Sequence, residues 1–100
     1  MKKIPLHVAV HLHIQPGTQQ LLRSTIEDVA VPTRAEPGCR YYALSRDTAD
    51  ENHFMLHEEW EDGAAFDLHL NSPHFHACQQ KLAPIWARPP QIILLQPERA

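Results

Sequence analysis

The sequence predicts an α+β domain: one antiparallel sheet built in the order β-α-β-β-α-β, with the helices on one face. Three observations predict it. Leu6, Val8, Val10, Leu12 and Ile14 alternate with His7, Ala9, His11 and His13, the period of two that gives a strand one apolar face. Leu22, Ile26 and Val29 then recur at i, i+4 and i+7, the stripe of an amphipathic helix. Two more strand-like runs, residues 39–46 and 53–60, flank the polar stretch from Asp47 to Asn52, which is the pattern of a hairpin.

Each element has its own punctuation. Pro16-Gly17 ends the first strand, and Thr18 stands where it can cap the helix. Pro32 is expected to end or kink that helix near Val31, because proline lacks the N–H that the next turn needs. Glu36-Pro37-Gly38 turns the chain into the second strand. Along the third, Phe54, Leu56, Glu58 and Trp60 share one face, and His53, Met55, His57 and Glu59 the other. Asp62 caps a short helix with Phe66 and Leu70 on one side and His69 beside them. Ser72-Pro73 joins an N-cap to a proline at the first helical position, so another helix starts there and buries Phe75, Cys78 and Leu82. Pro84, Pro89 and Pro90 mark an extended connection to a closing strand over residues 91–96. This order is the split βαβ arrangement of a ferredoxin-like sheet. Ile92-Ile93-Leu94-Leu95 is apolar on both faces, so the open face of the sheet is expected to be covered as well. A second copy of the chain is the simplest cover, and a homodimer is expected.

Length and composition bound the rest. One hundred residues make a single domain, 1–100, with its core at about 4–95. Apolar residues are 43% and charged residues 21%, the balance of a globular chain rather than a disordered one. A net charge of −3 with scattered Lys and Arg argues against a nucleic-acid partner. No apolar run nears the roughly 18 residues that span a bilayer, so no membrane partner is expected. Lys2 and Lys3 precede an apolar stretch as in a signal peptide, but three histidines interrupt it and no small-residue cleavage site follows. A cytoplasmic location is the expectation. Cys39 and Cys78 lack CxxC spacing and read as reduced thiols.

Residues 36–75 are the most specific stretch. Glu36-Pro37-Gly38-Cys39, Tyr42, Glu58-x-Trp60-Glu61-Asp62, Ala65, His69-Leu70 and Ser72-Pro73-His74-Phe75 follow one another in order. This set resembles the antibiotic biosynthesis monooxygenase (ABM) family of the dimeric α+β barrel superfamily, and the resemblance extends over residues 4–95. It implies a dimeric α+β barrel. Family members include cofactor-independent monooxygenases that oxidise polyphenols and quinols, haem-degrading enzymes and proteins of unknown activity. The haem-degrading branch uses an asparagine, a tryptophan and a histidine where this chain has Val10, His69 and Gln79, so the resemblance does not extend to that activity. The chain also departs from the family at Pro32 and in its histidine-rich first strand.

The function this resemblance implies is a cofactor-independent monooxygenase that oxidises a small phenolic or quinol-like aromatic with dioxygen, in a pocket between the sheet and the two short helices. His69 is the expected general base, since an imidazole titrates near neutrality. Glu58 is the expected catalytic partner that orients a hydroxyl. Trp60 and Phe66 would be flat apolar walls, Tyr42 a second polar group, and His74 and Phe75 further substrate contacts at the helix junction. A plainer role stands beside each: Trp60 as a core anchor, Glu58 capping a backbone group, His69 bonded to a carbonyl, Tyr42 simply packed. The alternatives are a non-catalytic small-ligand-binding or regulatory protein of the same dimeric build, or a proton-transfer isomerase. No cofactor and no metal are expected. His7, His11 and His13 share a strand face, with His57 and Glu59 nearby, but a solvent-facing strand needs polar residues at those positions anyway.

Overall fold

The computed structural model describes residues 3–98. Its elements are β1 (Leu6–His13), α1 (Gln19–Arg34), β2 (Cys39–Arg46), β3 (His53–Trp60), α2 (Gly63–Leu70), α3 (Pro73–Leu82), one 3-10 turn (Ala83–Ile85) and β4 (Gln91–Leu95). The strands form a single antiparallel sheet in the order β2-β3-β1-β4. This is the expected ferredoxin-like α+β fold.

Alternation decides what the sheet buries. The β1–β3 register sets Val8 opposite Glu58, Val10 opposite Leu56 and Leu12 opposite Phe54. Across the other edge of β3, Tyr42 stands opposite Glu58. The apolar members of this face pack with Trp60, Leu22, Ile26, Val29 and Phe66 into the core. The other face of the sheet carries His7, Ala9, His11, Met55, His57, Ile93 and Leu95. On β4, Ile92, Leu94 and Leu95 are 53%, 58% and 45% exposed, so this strand is apolar on both sides and uncovered within one chain.

Three details differ from the expectation. Helix α1 runs through Pro32 to Arg34. Only one hydrogen bond of the last turn is lost at that proline, and Thr33, wholly buried, keeps the turn against the core. Thr18 does occupy the N-cap, but its hydroxyl donates to the Gln15 carbonyl at 2.6 Å instead of accepting from the helix. The Pro84 segment is a 3-10 turn that buries Ile85, and extended chain begins after it.

The junctions around α2 and α3 are tightly specified. Gly38 has φ +88°, and a Cβ there would lie 2.7 Å from Ala65 Cβ and from Glu61 Cγ. Only glycine fits such a backbone beside such neighbours, and the Gly38 carbonyl accepts from Glu61 N at 2.8 Å. The Asp62 side chain accepts from Ala65 N at 2.9 Å, satisfying one of the free N–H groups of α2. Ser72 Oγ accepts from Phe75 N at 3.3 Å and donates to the His69 carbonyl at 2.6 Å. These contacts fix the end of α2 and the start of α3 against the turn that carries Glu36.

Candidate active site

A cavity of about 570 Å³ opens between the sheet and α3, within the size range of small-molecule sites. Val10, Leu12, Tyr42, Leu56 and Glu58 line it from the strands. Phe66, Leu70, Phe75 and Cys78 close it from α2 and α3, and Trp86 and Ile92 complete the wall.

Glu58 is the unusual group. It is only 4% exposed, and its Oε1 accepts from Trp60 Nε1 at 3.0 Å. Burial pushes its carboxyl up to about 7, with the negative charge of Glu36 adding to the rise and the indole hydrogen bond opposing it. A carboxyl that is half protonated near neutrality can accept or return a proton. Facing it, Tyr42 is buried, and burial raises its phenol far above the usual range. Its hydroxyl therefore stays neutral, a donor and acceptor without charge.

Behind the cavity lies a second layer. His69 is 1% exposed and its Nδ1 stands 2.7 Å from Glu36 Oε2. His74 Nε2 reaches the same oxygen at 3.0 Å. Burial lowers the pKa of His69, outweighing the upward pull of the Glu36 hydrogen bond, so a neutral ring donates Nδ1–H to the carboxylate. The imidazole lies 4.8 Å from the Trp60 indole and 5.1 Å from the Phe75 ring, centroid to centroid.

Four of the seven residues singled out from the sequence, Glu58, Tyr42, Phe66 and Phe75, thus line the cavity. Trp60, His69 and His74 do not. The indole is 0% exposed at the end of β3, packed against Phe66 and His69. It presents an N–H to Glu58 and no face to the cavity. Glu36, read from the sequence as part of a turn and of the family-like motif but given no role in the site, is the carboxylate that joins His69 to His74. Its place at the head of Glu36-Pro37-Gly38-Cys39 was the available signal. Trp86 sits in a proline-rich stretch with no periodicity, and nothing in the sequence marked it.

The histidines of β1 do not share one set of partners: His7 stands apart, while His11 and His13 both meet His53. His7 Nε2 pairs with Glu59 at 3.0 Å, while His11 Nδ1 meets His53 Nε2 at 3.0 Å. His13 stacks on His53 with centroids 4.3 Å apart, and His53 Nδ1 bonds Asp47 at 2.9 Å. Among the described residues, Glu36, His69 and His74 are the one group whose ligand atoms lie within 4.8 Å of one another. Their spacings of 2.7 and 3.0 Å are those of hydrogen bonds. No helix among the described residues is long and apolar enough to cross a membrane.

Comparison with known proteins agrees with this architecture. The family model described as "Antibiotic biosynthesis monooxygenase" matches residues 5–81. "Putative monooxygenase Rv0793" of Mycobacterium tuberculosis is 31% identical over 93 residues, covering 93% of this chain and 91% of that protein. Its solved structure superposes with a TM-score of 0.89 at 28% identity, over 96% of this chain and 97% of the other. The crystal structure of PA3566 from Pseudomonas aeruginosa gives a TM-score of 0.89 at 27% identity, covering 99% of both chains. "Uncharacterized protein sll1783" of Synechocystis is 31% identical over 88% of this chain, which spans 60% of the length of that relative. With its family model spanning most of the sheet and all of the junction that holds Glu36, His69 and His74, the chain belongs to the antibiotic biosynthesis monooxygenase family.

Proposed function

We propose that this protein is a cofactor-independent monooxygenase that oxidises a small phenolic or quinol-like aromatic with dioxygen. Glu58 carries the reading: an ionisable carboxyl poised near neutrality, inside an apolar cavity large enough for a flat ring. The name of the M. tuberculosis relative points in the same direction. In this reading the base is Glu58 rather than His69, because Glu58 lines the cavity and His69 is spent on Glu36 behind it.

The chemistry balances without a cofactor. Glu58 takes a hydroxyl proton, and the electron-rich ring anion gives one electron to dioxygen. Ring radical and superoxide combine at a ring carbon bearing hydrogen to form a hydroperoxide once the proton returns. Loss of water leaves one oxygen atom on the ring as a carbonyl and the other in water. The substrate supplies both electrons. Tyr42 orients the hydroxyl from the opposite strand, and Phe66 and Phe75 hold the ring flat. The Glu36–His69–His74 clamp fixes the α2–α3 junction that presents those two phenylalanines. A homodimer through the open sheet face belongs to the same reading, since β4 leaves Leu95 exposed beside Ile93 on that face.

The test is a panel of hydroquinones and naphthols incubated with and without oxygen and followed by ultraviolet-visible spectra. An oxygen-dependent product is expected with the wild type. With Glu58→Gln it should fall by about 100-fold or more, the scale of a lost general base. No oxygen-dependent product across the panel would refute the proposal.

A further inference from the structure

The charge on the cavity wall is one-sided. Of the residues that line it, Glu58 is the one carboxylate, and no Lys, Arg or His is among them. The other polar contributors are neutral: the Tyr42 hydroxyl, the Cys78 thiol and the amides of Gln79 and Gln80. Burial raises both the Tyr42 and Cys78 groups, so neither supplies charge at neutral pH. The positive charge lies next door. Arg23, Arg34 and Arg46 line a separate groove of about 460 Å³ between α1 and β2, and Tyr42 and Ile26 wall both spaces. Arg34 is turned away to the Tyr42 carbonyl, at 2.7 and 3.2 Å.

From this distribution we infer that the cavity selects uncharged hydroxylated aromatics and rejects their carboxylated or sulfonated analogues, with Glu58 as the residue that sets the discrimination. The inference rests on the proposed aromatic-binding role of the cavity and adds the charge class of its ligand. An anionic substituent entering the cavity would leave water for an apolar wall with no cation to receive it, a costly transfer. It would also meet a carboxylate of the same sign, at close range and in low dielectric. A neutral hydroxyl instead finds an acceptor in Glu58 and a donor in Tyr42.

The groups facing Glu58 make the discrimination depend on pH. Trp60 donates to it from β3, Glu36 repels it from the turn before β2, and Tyr42 and Cys39 approach from β2. Among the residues that share the cavity with it, α1 contributes apolar Ile26 and α3 the neutral Cys78. Glu58 is thus the group that changes charge across neutrality. An aromatic carboxylate stays ionised over the same range, so repulsion should weaken as Glu58 is protonated.

The test is equilibrium binding under anaerobic conditions, read by quenching of the cavity residue Trp86 and confirmed by calorimetry. The probes are hydroquinone, 2,5-dihydroxybenzyl alcohol and 2,5-dihydroxybenzoate. At about pH 8 the two neutral probes should bind at least about tenfold tighter than the carboxylate, equal to about 1.4 kcal/mol. The ratio should shrink on lowering the pH to about 5.5, where Glu58 is protonated. It should shrink equally in Glu58→Gln at about pH 8, since glutamine keeps the acceptor for Trp60 without the charge. Equal affinities in the wild type, a ratio unmoved by both pH and substitution, or no saturable binding of any probe would overturn the inference. Because no turnover is read, discrimination without oxygen uptake would sink the proposed reaction alone. Oxygen uptake on the carboxylated probe as readily as on the neutral ones would sink this inference alone.

Discussion

Replacing Glu58 with glutamine should stabilise the protein above neutral pH and change it little in acid. The carboxyl rises from an ordinary 4.5 to about 7 on folding, chiefly because burial strips its water. Each tenfold change in proton affinity is about 1.4 kcal/mol, so the rise corresponds to about 3 kcal/mol. The sign follows from proton counting. Between 4.5 and about 7 the folded chain holds a proton that the unfolded chain has released, so stability falls as pH climbs through this window. Above it the folded state carries the whole cost of a buried carboxylate. Glutamine removes that cost and still accepts from the Trp60 indole. Urea unfolding followed by tryptophan fluorescence, at fixed protein concentration because association would add to stability, measures the difference. The variant should gain up to about 3 kcal/mol at about pH 8 and a few tenths at about pH 4.5. A gain that is the same at both pH values, or larger at the lower one, would show that Glu58 carries no such burial cost.

Other substitutions test the frame that holds the cavity. Glu36→Ala leaves both His69 Nδ1 and His74 Nε2 without their acceptor and should cost about 1–3 kcal/mol in the same assay. Gly38→Ala forces a side chain into the left-handed region and within 2.7 Å of Ala65, and should lower stability by about 1–3 kcal/mol or more. Asp62→Ala removes the α2 cap and should cost about 1 kcal/mol. His69 works in the opposite sense to Glu58: burial lowers its pKa, so its contribution is present above 6.5 and is lost as pH falls through its folded value. His69→Gln should therefore flatten the acid side of the wild-type stability profile. Size-exclusion chromatography with light scattering should show a dimer, and Ile93→Glu with Leu95→Glu on the open face should return it to one chain.

The fold was legible because alternation and punctuation agreed along the chain. The histidines of β1 point to the face away from Val8, Val10 and Leu12 in every register that buries the apolar set, so the inner face could be assigned before its neighbours were known. Asp62 and Ser72-Pro73 marked the starts of α2 and α3 because capping is local chemistry. The fate of Pro32 could not be read locally: the helix continues past it to a Thr33 that is buried against the core. The site was legible only by face. Strand parity put Glu58 and Trp60 on one face with Phe54 and Leu56, and the family resemblance set Tyr42 beside them, but neither says which of them meets open space. That choice depends on how far α2 lies over the end of β3, which is a matter of packing. Glu36 escaped notice for the same reason, since its partners lie 33 and 38 residues away.

Whether Glu58 is the proton-handling group of the cavity is measured most directly by a carbon-13 NMR titration of its carboxyl, assigned by loss of its resonance in Glu58→Gln, in the free protein and with hydroquinone bound. A midpoint near 7 is expected in the free protein, and a displaced midpoint once a phenolic hydroxyl shares the carboxyl. A midpoint in the ordinary carboxylate range that ignores the ligand would contradict that role.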